Sequence, residues 1–352
     1  MPSITVVSTI DFPYRVPQRA VRDLSKQVFA SSFLDIGRML SVFENTRIEF
    51  RNLCEPLGWY LRDHTFEEQN REYIRLALDY SVRAAEGCLS AAGLSKKRIT
   101  DLVFVSTTGL ATPGLDALII NKMRLNQHVR HMSLFGLGCA GGVSGLAKAC
   151  ALAKADPGAV VLLVAVELCS LTFLRHDASK SNFIGSCLFA DGAAACLILG
   201  DGQRHTAGHG ADFVAAESRL YYDTLEIMGW DFTDSGFKVL FSPGIPTLIE
   251  ANARKDVIGF LAKHGLTLAE IRNFIFHPGG KKVLSAYEAA LALDGDSLRT
   301  TREVMRDYGN MSSATVLYVL ERMMRGCEPG YGLMMAMGPG FSSEMVLLDM
   351  KR

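Results

Sequence analysis

The chain has 352 residues, of which 49% are apolar and 21% charged, with 37 Lys plus Arg against 37 Asp plus Glu. That length is more than one ordinary core needs and fits two domains or a fused double unit, and the apolar share is enough to bury it. The even charge balance provides no field for nucleic acid or an anionic membrane, so the expected partner is a small molecule or a second copy of the chain.

Eight cysteines, at 54, 88, 139, 150, 169, 187, 196 and 327, form no C-x-x-C pair and no Cys/His cluster of zinc-site spacing. In a chain of this size that spread implies free thiols, a cytoplasmic location and no metal. No basic segment followed by an apolar core opens the sequence, and the apolar run over 159–166 is far too short to span a bilayer.

Residues 1–7 read as a strand, and Pro13 and Pro17 bound a turn before a helix over 18–30. The segment 38–51 carries Arg38, Arg47 and Arg51, and reads either as a solvated helix face or as a dock for an anionic ligand tail. Residues 66–92 have a long helical period stopped by Gly93; 101–106 is a buried strand ending in Thr107 and Thr108; a helix over 115–124 follows Pro113 and Gly114. Residues 133–137 are short, apolar and edged by glycine, which fits a strand running into Cys139 and then a helix over 140–155. Strands are expected over 159–167, closing on Glu167, and over 193–199, with a loop over 200–210. Helices follow over 248–264, 281–292 and 310–324, and strands over 271–276, 331–337 and 344–350. This alternation describes an α/β fold of two similar halves, residues 1–210 and 211–352.

Cys139 would lie at a helix N-terminus, where unpaired N–H groups and the dipole favour a thiolate and can hold an oxyanion. The same residue also reads as a buried structural cysteine. His277, in FIFHPGGKKVL, is the one histidine of eight at a buried strand end before a glycine pair, and reads alternatively as a core histidine. Asn310, in DYGNMSSATVLYVLE, follows Gly309, and asparagine there is equally a helix cap. The order Cys, His, Asn fits a papain-like hydrolase, whose Cys-to-His spacing is about 130–150 residues. The aromatic residue and second cysteine of that signature are missing around Cys139, and the α/β rhythm is wrong for it. The order also fits acyl transfer with decarboxylative condensation, in which His and Asn donate to a thioester oxygen without adding a repelling carboxylate.

The segments GLGCAGGVSGLAKA, CLFADGAAACLIL, FHPGGKKVL, DYGNMSSATVLYVLE and MGPGFSSE, in this order, resemble the type III polyketide synthases of the chalcone and stilbene synthase superfamily. HPGG together with GNMSSA separates this branch from the single-condensation ketoacyl synthases of type III. The resemblance implies a homodimer of the thiolase-like fold, layered αβαβα, that takes coenzyme A (CoA) thioesters as substrates and needs no cofactor. Cys139 matches the nucleophile, His277 and Asn310 the decarboxylation pair, and Phe189 the gatekeeper between CoA tunnel and cavity. Met337, Gly338, Pro339 and Gly340 match a loop at the cavity wall, with Met337 in place of phenylalanine. Thr107, Thr108, Thr172, Trp230, Val239 and Ser312 match cavity positions, and Thr112 the residue that reaches across the dimer. Trp230 replaces glycine and Val239 phenylalanine of the plant pattern, so a flavonoid-type starter is not expected. Arg38 and Lys282 match CoA-binding positions, Ser41 and Asn45 depart from them, and Arg47 and Arg51 are candidate substitutes. The wording around Cys139 is most similar to bacterial members that make alkylresorcinols or alkylpyrones from malonyl-CoA and long fatty acyl starters.

Overall fold

The computed structural model describes residues 1–30, 32–33, 35–206, 210–326 and 328–351, without the side chains of 204–206. Cys327 and part of the loop expected over 200–210 lie outside the described residues.

Strand β1 (Ser3–Thr9) leads to β2 (Tyr14–Pro17), α1 (Gln18–Val28), α2 (Ile36–Asn45) and β3 (Phe50–Leu53), with β2 and β3 paired antiparallel. Helix α3 (Phe66–Ala92) opens on a reciprocal capping box between Thr65 and Glu68 and closes on Gly93 at φ 62°, a value that glycine adopts freely. Then come β4 (Asp101–Val105), α4 (Leu115–Met123), β5 (Arg130–Leu134), α5 (Gly141–Ala155), β6 (Val160–Leu168), α6 (Lys180–Leu188) and β7 (Asp191–Leu199). The rest comprises β8 (Ala211–Leu220), the hairpin β9 (Met228–Thr233) and β10 (Gly236–Phe241), α7 (Ile245–Ala262), β11 (Ile271–Phe276), α8 (Lys281–Leu291), α9 (Arg299–Tyr308), α10 (Thr315–Met324), β12 (Gly330–Gly338) and β13 (Ser342–Met350).

Nine strands form one mixed sheet in the order β11-β12-β13-β8-β1-β7-β6-β4-β5. Its pairing repeats. β4 runs parallel to β6, which is antiparallel to β7, which is antiparallel to β1; β11, β12, β13 and β8 are related in the same way. The two runs meet where β1 pairs β8, at Ser3 with Asp212 and Ile4 with Ala211.

Alternation along each strand builds the layers. In β6, Val161, Leu163 and Ala165 join an inner cluster with Val143 and Leu146 of α5 and Val316 and Leu320 of α10, while Leu162, Val164 and Val166 pack outward with Tyr80 of α3 and Ile119 of α4. In β12, Met334 and Ala336 share the inner cluster, and Leu333 and Met335 pack with Ile249 of α7 and Leu284 of α8. The outcome is a thiolase-like αβαβα stack with α5 and α10 as its middle layer. Close approach there demands glycine: a Cβ on Gly142 would lie 2.2 Å from the Ser313 carbonyl oxygen. Gly142→Ala is therefore expected to cost at least about 1–3 kcal/mol, read from the midpoint of urea unfolding.

Three expectations shift. β5 ends at Leu134 instead of 137, because it is an edge strand with exposed Arg130, His131 and Ser133, and the apolar 135–137 stretch is the turn after it, with Gly136 at φ 82°. The helix expected from 310 begins at Thr315, because Asn310 is held in a bridge to Phe189. Of the segment 38–51, residues 38–45 lie on helix α2 as expected, but Phe50 and Arg51 belong to the strand β3, where Arg51 is buried. The seven described cysteines are free thiols, and no described helix is long and apolar enough to cross a membrane.

Candidate active site

Cys139 sits part-buried in a single 3-10 turn, Gly138–Ala140, between the β5 turn and α5. The turn is crowded from the other half of the chain. A Cβ on Gly138, at φ 44°, would lie 2.7 Å from Pro339 Cδ, and one on Gly338 would lie 2.4 Å from the Leu137 carbonyl oxygen. Gly338 and Pro339 thus brace the Cys139 turn, whereas Gly340 faces Leu220 and Leu225, and Met337 packs in the outer cluster with Leu188 and Phe276. Gly138 N–H donates to Thr107 Oγ1 at 3.0 Å.

His277 directly follows β11, and its N–H donates to Met335 O at 2.8 Å, so the sheet fixes its backbone. Its side chain is only 3% exposed, yet neither Nδ1 nor Nε2 has a partner among the described residues. Buried polar atoms are rarely left unpaired, so both ring nitrogens are open to a further hydrogen-bond partner. Asn310 is positioned by its own backbone: its N–H donates to Leu188 O at 2.9 Å, and its carbonyl accepts from Ala190 N–H at 2.8 Å. Its Oδ1 accepts from Ser312 N–H at 2.9 Å, which leaves Nδ2 as the donor end, with a long 3.5 Å contact to Gly279 O. Ser312 takes up φ 48°, an uncommon conformation for serine, in making that contact.

Burial pushes the Cys139 thiol up to about 12; hydrogen bonds from Ser312 and Asn310 oppose this, and the Glu167 carboxylate adds to it. The helix-terminus expectation of a readily formed thiolate is overturned here, because desolvation outweighs the turn's donors. Burial likewise pulls His277 down to about 3. Each group is therefore neutral when taken singly.

Glu167, which the sequence shows only as the close of an apolar strand, is fully buried. Its Oε1 accepts from Ser313 Oγ at 2.5 Å, and its Oε2 accepts from Thr107 N–H at 3.0 Å and Thr108 Oγ1 at 2.9 Å. Burial raises its carboxyl to about 7 against those hydrogen bonds. Thr107 and Thr108 thus serve the Glu167 network.

A cavity has Thr172, Phe189, Trp230 and Val239 in its wall together with Cys169 and with Val21 and Leu24 of α1, and Phe189 links it to the Asn310 bridge. Trp230 pairs with Val239 across the β9–β10 hairpin and packs edge-on against Phe237, ring centroids 5.7 Å apart. Thr112 is exposed at the surface and takes no part in this wall within one chain.

Residues 63–202 match the family described as Chalcone and stilbene synthases, N-terminal domain, and residues 212–351 match its C-terminal domain. The chain belongs to the chalcone and stilbene synthase family. It is 41% identical over 350 residues to a putative chalcone synthase of Bacillus subtilis (strain 168), covering 96% of each protein. It is 37% identical to the 1,3,6,8-tetrahydroxynaphthalene synthase of Streptomyces peucetius subsp. caesius, over 98% of this chain and 92% of that protein. Its fold matches the crystal structure of 1,3,6,8-tetrahydroxynaphthalene synthase from Streptomyces coelicolor A3(2), a bacterial type III polyketide synthase, with a TM-score of 0.93 at 27% identity over 99% of both chains. The C-terminal type III polyketide synthase domain of Steely1 from Dictyostelium matches with a TM-score of 0.92, also at 27% identity over 99% of both chains. This family member is accordingly an acyltransferase of the type III polyketide synthase class.

The four candidate CoA-binding cations of this synthase divide. Arg38, Arg47 and Lys282 are exposed, on α2, the turn after it and the first turn of α8. Arg51 is 2% exposed, and its Nη1 donates to the carbonyls of Ser186 and Phe189 at 2.7 and 2.8 Å. A guanidinium sealed against backbone carbonyls cannot receive a phosphate, so Arg51 is removed from that set.

Proposed function

We propose that the chain takes an acyl group from a CoA thioester onto Cys139, extends it by decarboxylative condensation with malonyl-CoA, and cyclises the product to an alkylresorcinol or alkylpyrone. The observation that carries this reading is the unpartnered His277 ring, together with an Asn310 amide whose oxygen is already engaged and whose Nδ2 reaches Gly279 O, two residues past His277. Both side chains are left with donors for a thioester oxygen. In the loading step the Cys139 proton passes to His277, the thiolate attacks the acyl carbonyl, and the C–S bond to CoA breaks as the CoA sulfur takes that proton. Mutual attraction of thiolate and imidazolium offsets the desolvation that keeps each neutral alone. Malonyl-CoA then loses carbon dioxide, and the electron pair left on carbon is delocalised onto the thioester oxygen, held by Asn310 Nδ2 and the His277 N–H. The enolate carbon attacks the Cys139 thioester carbonyl, and the C–S bond breaks to regenerate the thiolate.

CoA thioesters are the only small molecules this scheme requires, with Arg38, Arg47 and Lys282 as cations for the CoA phosphates. A cytoplasmic location agrees with seven free thiols. A homodimer is supported by the open edge at β5, with Leu110 and Phe135 exposed near Thr112; light scattering at twice the 38.5 kDa mass is the expected result.

A long fatty acyl starter is supported by the apolar lining of the cavity at Val21, Leu24 and Val239. Trp230 favours a second reading, a compact product like the one for which the 37% identical relative is named. Mass spectrometry of products from short to long acyl-CoA starters with malonyl-CoA decides between them. Only single condensations would favour a ketoacyl synthase instead. Trp230→Gly is expected to raise the share of products from long starters about tenfold, in keeping with the 10–200-fold discrimination that a missing or extra methylene produces in an apolar pocket.

A further inference from the structure

The Arg51 guanidinium has no route to solvent, and its Nε and Nη2 have no partner among the described residues. Burial lowers its pKa to about 10, against the attraction of the Cys187 and Asp191 positions, so it stays charged at neutral pH. A charge held at that disadvantage calls for a structural return.

The contacts of Arg51 supply one. Nη1 grips the carbonyls of Ser186 and Phe189, the last turn of α6 and the residue just beyond it. Phe189 is bridged to Asn310, through Asn310 N–H on Leu188 O and Ala190 N–H on Asn310 O. The Arg51 stem also presses on the partner strand of that bridge: a Cβ on Gly309, at φ 75°, would lie 3.0 Å from Arg51 Cγ and 3.1 Å from Cδ. Two residues past Phe189, Asp191 is tied to the same β3 end, where Cys54 N–H donates to its Oδ2 at 2.6 Å. The residues around Phe189 and Asn310 are thus fastened from below by one buried strand end.

We propose that Arg51 is a positioning residue for decarboxylation: it clamps the end of α6 so that the Phe189–Asn310 bridge aims the Asn310 amide at the malonyl thioester. This rests on the assignment of Asn310 to that step. Arginine suits the task because its charge survives burial and its planar group reaches two carbonyls at once, whereas a buried lysine is prone to lose its charge. Cys139 is carried by a separate segment, the Gly138–Ala140 turn packed against Pro339, and meets the clamped residues only through side-chain hydrogen bonds from Asn310 and Ser312, so loading depends on the clamp less than decarboxylation does.

Two separate assays test this on the full-length protein. Acylation of Cys139 by an acyl-CoA is followed by intact mass, carbon dioxide release from malonyl-CoA is followed directly, and circular dichroism with urea unfolding reports the fold. Arg51→Gln is expected to release carbon dioxide about 100-fold more slowly, the effect of a displacement near 1 Å, with Cys139 acylation within about threefold of wild type. Arg51→Lys, which keeps a charged donor, is expected to recover part of this, to about a tenfold deficit. Parallel loss of both activities, no loss of either, or failure of both variants to fold assigns Arg51 to general stability and overturns the proposal. Wild-type protein that acylates Cys139 but releases no carbon dioxide overturns the functional reading and this proposal together; an active wild type with parallel losses in the variants overturns this one alone.

Discussion

Cys139→Ala is expected to reduce ketide formation from acyl-CoA and malonyl-CoA by at least about 10³-fold, the scale of removing a covalent nucleophile. The same variant is expected to keep releasing carbon dioxide from malonyl-CoA. His277 and Asn310 are held by the β11–β12 sheet and the Phe189 bridge, not by the cysteine turn, so removing one Sγ leaves their donors in place. Product analysis by mass spectrometry and a carbon dioxide assay read the two effects separately. Iodoacetamide labelling adds a control, since wild type is expected to be alkylated at Cys139 while the six other described cysteines, all buried, react far more slowly. Ketide production by Cys139→Ala would rule out the thioester intermediate.

The complementary losses are expected from Asn310→Ala and His277→Ala, each slowing carbon dioxide release by about 10²–10³-fold, as for removal of one oxyanion donor. They should differ in loading. Asn310→Ala keeps the proton acceptor for the thiol and still acylates, whereas His277→Ala leaves a thiol raised to about 12 with no base beside it and acylates slowly. His277 also carries a pH signature. Its pKa is lowered by burial from 6.5 to about 3, so its contribution to stability is fully present above 6.5 and is lost as pH falls from there toward 3. Between pH 7 and pH 5 wild type should lose about 2 kcal/mol more than His277→Ala, measured by urea midpoints. Equal losses in the two proteins would show that the ring is solvated in the folded state.

The parts of this molecule that were legible in its sequence are those where one local cause decides the outcome. Helix α3 was readable over its whole length because Thr65 and Glu68 cap one end and Gly93 ends the other. β11 was readable because five of its six residues are buried and its last three, Phe274, Ile275 and Phe276, form an apolar run up to His277. Cys139, His277 and Asn310 stood out because glycines flank each one, and the structure confirms close approach at Gly138 and Gly309. The strand β8 and the hairpin β9–β10 escaped because their residues are half exposed and mix polar with apolar, so no period dominates. Arg51 was misread for a different reason. Charge in a sequence signals solvent unless something specific pairs it, and the carbonyls of Ser186 and Phe189 lie 135 and 138 residues away. Glu167 was hidden likewise, its partners Thr107, Thr108 and Ser313 being assembled only by the fold.

Strand β1 has a consequence for how the chain is made. It lies at the centre of the nine-stranded sheet, between β7 and β8, although both of these strands come far later in the chain. At about 5–20 residues per second, the strands that flank it follow it from the ribosome by roughly 10–40 s. During that interval residues 3–9 have no ladder partner, and the middle of the sheet cannot close until β1 is captured from both sides. The seam between the two repeats therefore closes only after β7 and β8 have both been made.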